Sequence, residues 1–164
     1  MALRNILTDG NPLLRKTSRP VTAFDERLHI LLDDMRDTLI DSGGVGLAAP
    51  QVGVLRRIFL VDTGEEIIEC INPEIVEVDG EQTGIEGCLS IPGKYGVVTR
   101  AYRAVIRAQD RDGEWFEAEG EELIGRCFQH EYDHLDGKLY KDIAERMLTN
   151  EELEELMAEQ EEDE

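Results

Sequence analysis

The 164-residue chain contains no run approaching the roughly 18 apolar residues that a membrane span needs. It also lacks a basic N-terminal stretch leading into an apolar segment, which argues against an export signal. Together these absences predict a soluble protein of the cytoplasm. Cysteine is scarce: Cys70, Cys88 and Cys127 are odd in number and widely spaced, which excludes a disulfide scaffold and suits free thiols in a reducing compartment. Basic residues are scarce as well. The 17 Lys and Arg stand against 37 Asp and Glu, and the net charge of −20 repels nucleic acid and anionic membrane. No repeat of fixed period occurs, and no domain boundary is placed before the acidic end.

With 41% hydrophobic residues the chain is long enough for one cored domain and too short for two ordinary ones, so residues 1–164 are read as a single domain. Its one biased segment is the end. From Asp142 to Glu164 eleven acids face one base, Arg146, which reads as an acidic, solvated C-terminal helix or tail from about residue 142.

Between Phe24 and Ile40 the residues Leu28, Leu32, Met35 and Leu39 recur at helical spacing, with Thr22 placed to cap the start and Gly43 to end it. Short β-branched runs follow at Arg57 to Val61, Ile67 to Ile71, Ile75 to Val78, Gly96 to Arg100, Ala104 to Gln109 and Trp115 to Glu119. Asp112-Gly113 reads as a hairpin turn between the last two. A second helix is expected from Glu121 to Leu135, stopped by Gly137, and a third from Thr149, whose spacing to Glu152 suits a capping box. Helices mixed with hairpin-joined strands predict an α+β fold: small mixed or antiparallel sheets around the second helix, with a helix near each end.

The second helix holds His130-Glu131-Tyr132-Asp133-His134, and with it two of the three histidines. Four residues turn a helix by about 400°, so the two imidazoles stand one turn apart on one face, where both can reach one metal ion. Glu131 then faces a water on that ion, as a general base would. A catalytic metal needs a third protein ligand. The metzincin position for a third histidine is occupied by Tyr140. Glu154 stands about where a thermolysin-like enzyme supplies a glutamate, although in so acidic a tail some glutamate would fall there anyway. Cys88, in a glycine-flanked segment between strands, could close a Cys-His-His set with one position open to water. Cys127 shares the helical face of the histidines and is read as a buried thiol, Cys70 as core, and His29 as surface or satisfied interior. A non-catalytic acidic interaction domain with a closed structural metal site is the alternative from another class.

Three segments, Gly44-Val45-Gly46-Leu47-Ala48-Ala49-Pro50-Gln51, Glu86-Gly87-Cys88-Leu89-Ser90 and Gln129-His130-Glu131-Tyr132-Asp133-His134-Leu135-Asp136-Gly137, resemble in order the three motifs of peptide deformylases. The resemblance extends to Asn11-Pro12-Leu13-Leu14-Arg15 and covers nearly everything before Asp142. It implies a hydrolase that removes the formyl group from the N-terminal methionine of newly synthesised polypeptides, a step of N-terminal methionine processing in protein biosynthesis. It implies Cys88, His130 and His134 as metal ligands and Glu131 as the general acid and base. Gln51, through its amide, and Leu89, through its backbone N–H, would donate to the oxyanion. Gly46 would offer a backbone contact to substrate, the glycines on both sides of Val45 fitting a place where a peptide approaches closely. Val45, Leu123 and Cys127, close to the motifs, are candidates for the apolar slot that takes the methionine side chain.

Ligand chemistry alone favours zinc, whereas the family resemblance implies one Fe(II) per chain, oxygen-sensitive beside a thiolate, with nickel, cobalt or zinc as substitutes. Glu86 is read either as a brace for the Cys88 loop or as a surface carboxylate. Docking on ribosomal RNA would call for bases in the last helix, and this tail is acidic. The expectation is therefore a monomer with no nucleic-acid or membrane partner, whose tail can meet only basic protein surface. Cutting the chain after Arg146 is expected to spare turnover of a small formyl peptide.

Overall fold

The computed structural model describes residues 2–162, with side chains to residue 159. Helix α1 spans Glu26–Ser42. Its cap is Asp25 and not Thr22: the Asp25 carboxylate accepts the Leu28 N–H at 3.1 Å, while Thr22 is exposed. The helix ends as its sequence predicts, with Gly43 left-handed at φ 70° and its N–H donating to the carbonyls of Leu39 and Ile40. The face carrying Leu28, Leu31, Leu32, Met35 and Leu39 packs on Leu47, Ile58, Leu60 and Ile71.

Strand β1 (Gly46–Ala48) pairs antiparallel with β2 (Ile58–Asp62), and β2 with β3 (Ile67–Asp79). The two runs expected on either side of Asn72-Pro73 are one strand. Its register slips there, because proline offers no N–H to the ladder and Asn72 sits at φ 51°. Strands β4 (Gln82–Cys88) and β5 (Ile91–Arg100) form a hairpin, so Cys88 closes a strand and does not lie between strands. Strand β4 escaped the sequence reading because Ile85 is its only large apolar residue and it carries two glycines.

Strands β6 (Arg103–Gln109) and β7 (Trp115–Glu121) complete a five-stranded sheet in the order β1-β2-β3-β6-β7, and Gly113 at φ 85° makes their turn. Helix α2 (Glu122–Leu135) follows directly and is stopped at Gly137, φ 73°. Its inner face, through Cys127, Phe128 and Leu135, packs on Phe59, Val61, Cys70 and Ile106 of the larger sheet. Strand β8 (Arg146–Thr149) joins the smaller sheet, ordered β4-β5-β8, and α3 (Asn150–Glu162) ends the described chain. The Thr149 hydroxyl accepts the Glu152 N–H at 3.2 Å, so that cap stands. All ladders between named strands are antiparallel, and the architecture is α+β as expected.

The acidic segment does not begin at 142. Asp142 pairs with Arg15, Tyr140 and Leu148 are 1% exposed, and Leu148 lies opposite Tyr95 in the smaller sheet. A cut after Arg146 therefore removes the buried Leu148, which weighs against the expectation that it spares turnover of a small formyl peptide. Only α3 is a solvated acidic element, with Glu151, Glu152, Glu154, Glu155 and Glu159 exposed. No helix among the described residues is long and apolar enough to cross a membrane.

Candidate metal centre

The end of β4 meets the middle of α2. Cys88 Sγ lies 3.4 Å from His134 Nε2, and the ligating atoms of Cys88, His130 and His134 all fall within 4.8 Å of one another. Among the described residues this is the one cluster of three such donors that could share an ion. Glu154 is exposed on α3 and outside it, which sets the thermolysin-like arrangement aside. The donor set, one sulfur and two imidazoles converging from two elements, fits a divalent transition metal.

A buried polar network holds His130. Its Nδ1 meets Glu86 Oε1 at 2.8 Å, which leaves Nε2 for the cluster. Glu86, 5% exposed, is no surface carboxylate: it accepts Arg100 Nε at 2.5 Å and Nη2 at 3.0 Å, and Arg126 Nη1 at 2.5 Å. Burial pushes its pKa up, but the His130 and Arg100 donors outweigh burial and hold it down at about 2. Arg100 reaches on to Asp133 Oδ2 at 3.1 Å. On the other side Tyr140, in the metzincin position, stacks on His130 with centroids 5.9 Å apart and donates its hydroxyl to the Lys94 carbonyl at 3.2 Å.

Glu131 is 3% exposed, and its Oε1 has no hydrogen-bond partner. Burial pushes its carboxyl up to about 7. A Cβ on Gly46 would stand 2.7 Å from both Cys127 Sγ and Glu131 Oε2. A side chain at 46 would therefore displace Cys127 or Glu131, because the protein itself fills that space. The reason at Gly44 is of the same kind: a Cβ would lie 2.9 Å from Leu89 Cδ1.

Gln51 is oriented from both ends of its amide. Its oxygen accepts the Ala48 N–H at 2.9 Å, which turns the NH2 group toward Ser90 Oγ at 3.1 Å and Cys88 Sγ at 3.6 Å. An open cavity of about 510 Å³ connects these groups to solvent. Val45, Gly46, Gln51, Leu89, Leu123, Cys127 and Glu131 all line it, so every substrate-side residue singled out in the sequence faces one space. Leu123 sits at its mouth, 57% exposed, and Cys127 in its wall, where burial pushes the thiol well above its ordinary pKa and keeps it uncharged. His134 closes the cluster from behind, 1% exposed.

Arg100, Arg126, Ser90 and Tyr140 were given no role by the sequence reading. Motif 2 contains Ser90, yet nothing in the chain announces that two distant arginines share one buried glutamate.

Residues 3–150 match the model of the family described as polypeptide deformylase. The peptide deformylase of Acetivibrio thermocellus is 52% identical over 154 residues, covering 94% of this chain and 91% of that protein. Among solved structures, a peptide deformylase from Legionella pneumophila superposes with a TM-score of 0.85 at 43% identity, covering 96% of this chain and 97% of the other. That from Thermotoga maritima gives 0.85 at 42% identity, covering 88% and 99%.

Proposed function

We propose, for a chain that belongs to the polypeptide deformylase family, that Cys88, His130 and His134 hold its metal ion and that Glu131 moves the proton. The protein is a metal-dependent hydrolase that removes the N-formyl group from the N-terminal methionine of newly synthesised polypeptides and releases formate. The observation that carries the assignment of residues is the convergence of the three donors, within 4.8 Å, beside a buried carboxylate with an unpartnered oxygen.

Cys88, His130 and His134 would hold a divalent ion, which would supply Lewis acidity for the water and the formyl carbonyl. Glu131 accepts the proton of the attacking water, whose oxygen bonds to the formyl carbon. The Gln51 amide and the Leu89 N–H donate to the oxygen that becomes negative. When the C–N bond breaks, Glu131 returns the proton to the amine, giving formate and a free N-terminus. The Glu86 carboxylate, through His130 Nδ1, holds the imidazole so that its Nε2 is left to the three-donor cluster.

The substrate has a natural seat. β1 and β4 are edge strands of different sheets, and residues of both, with the Gly43 to Val45 loop, line the same cavity. An extended peptide between them can hydrogen-bond to free strand edges while Val45, Leu123 and Cys127 wall the methionine side chain. Gly46 contributes backbone there. One chain supplies all these groups, from which we infer action as a monomer, and the first two packed cores share β1, β2 and β3 while Tyr140 of the third stacks on His130 of α2, which supports one domain over 1–164.

Fe(II) is the resident ion we assign, with nickel or cobalt able to replace it. Elemental analysis of anaerobically prepared protein checks this; stoichiometric zinc with full activity would contradict it. The ligand assignment is tested by metal content: Cys88→Ala should lose the ion while Glu154→Ala keeps it, and the reverse result would restore the thermolysin-like reading.

A further inference from the structure

The cavity mouth has an unusual charge for this protein. Four charged side chains line the cavity. Glu86 and Arg126 are buried and paired with each other, and Glu131 is buried beside the metal ligands. Lys94 alone is exposed, and it forms no ion pair among the described residues. A chain of net charge −20 therefore presents, among the described residues, a single unpaired ammonium where substrate enters.

Its position is fixed by backbone. The β4–β5 hairpin turns tightly, Cys88 standing opposite Ile91, and Gly93 at φ 78° then swings the strand so that Lys94 lies at the rim. There β5 also pairs with β8, Lys94 opposite Thr149, and the Lys94 carbonyl receives the Tyr140 hydroxyl. The Tyr95 ring lies against Gly87 of the paired strand, where a Cβ would be 3.1 Å from it. The backbone of Lys94 is thus anchored while its ammonium stays in solvent.

Resting on the deformylase reading, we propose that Lys94 is a specificity-determining residue that favours nascent chains with an acidic side chain at the second or third position after formyl-methionine. An extended chain advances about 3.3 Å per residue, so a peptide seated along β4 carries those side chains out of the cavity toward its rim. Elsewhere the protein's acidic surface, including α3 beginning close to Lys94, disfavours such peptides. Lys94 reverses that bias locally. Because it stands away from the reacting atoms, its contribution enters KM and leaves kcat alone.

The test compares formyl-Met-Ala-Asp, formyl-Met-Ala-Ala and formyl-Met-Ala-Lys, and the same series one position earlier, on metal-loaded protein at low salt. The acidic peptide should exceed the basic one in kcat/KM by about three- to tenfold, through KM, with the gap shrinking in 0.5 M salt, as for an exposed ion pair. That ratio should persist in Lys94→Arg, fall to one or below in Lys94→Ala and fall further in Lys94→Glu. A wild-type ratio of one or below, or a preference for acid that survives in Lys94→Ala, overturns the proposal. Ratios within each variant are insensitive to how much active protein it yields. Absence of turnover with every peptide, the neutral one included, would instead overturn the deformylase reading and this inference with it.

Discussion

The polar network behind His130 and the helix α3 use charge in opposite ways. In the network each charge is placed: Glu86 receives Arg100, Arg126 and His130, and Arg100 also donates to Asp133. On α3 Glu151, Glu152, Glu154, Glu155 and Glu159 are exposed and, apart from the Thr149 contact with Glu152, bind nothing among the described residues. The difference teaches where the net charge of −20 matters. Buried charge here orients a ligand ring and would be costly to leave unpaired, whereas exposed charge keeps the surface hydrated.

The widest break between the two regions should come from Glu86→Ala. It leaves two arginines buried without their acid, and about 3–5 kcal/mol of stability should be lost in urea denaturation. A loss below about 1 kcal/mol would show the network to be incidental. Next comes the chain end, where two truncations sharpen the boundary. A cut after Arg146 removes the buried Leu148 and should cost about 2–5 kcal/mol.

Gly46→Ala should follow, since the new methyl would displace Cys127 or Glu131; a shift of about 1 Å at such a group lowers kcat by about a hundredfold. Unchanged kcat would mean that the wall yields freely.

Asp34 tests the same rule away from the metal. It is 5% exposed and accepts the Ala2 N–H at 2.9 Å and Arg4 Nε at 3.0 Å. Burial raises its pKa, but these donors outweigh burial and bring it below the ordinary 3.8. A depressed carboxylate contributes stability above its unfolded value and loses it as pH falls through the folded one. Asp34→Asn should therefore cost about 1.5–3 kcal/mol at neutral pH. Its difference from the wild type should vanish as acid denaturation proceeds below 3.8, and a difference independent of pH would contradict this account.

The smallest effect belongs to α3. A cut after Asn150 keeps β8 and should change stability by less than about 1 kcal/mol, with turnover of a small formyl peptide intact. A large loss there would make the acidic helix structural.

The parts legible in the sequence are those set by local geometry. The His130 and His134 pair follows from helical period, and the ends of α1 and α2 from Gly43 and Gly137. Cys88 was reached from ligand chemistry, as the third donor left once Tyr140 and Glu154 were set aside, and the family resemblance points to the same residue. The network was illegible because Arg100, Arg126 and His130 stand 14, 40 and 44 residues from Glu86, and only the packed sheet and helix bring them together. β8 was hidden by its charge and brevity: a four-residue strand beginning with Arg146 reads as part of the acidic end.

The central claim is that Glu131, beside a metal held by Cys88, His130 and His134, carries deformylation. It is tested most directly by measuring formate release from a formyl-methionyl peptide by anaerobically purified, iron- or nickel-loaded protein, wild type against Glu131→Ala. The account predicts robust release that the substitution lowers by about 10²–10⁴-fold. No release from folded, metal-replete wild type, or release that Glu131→Ala leaves unchanged, would contradict it.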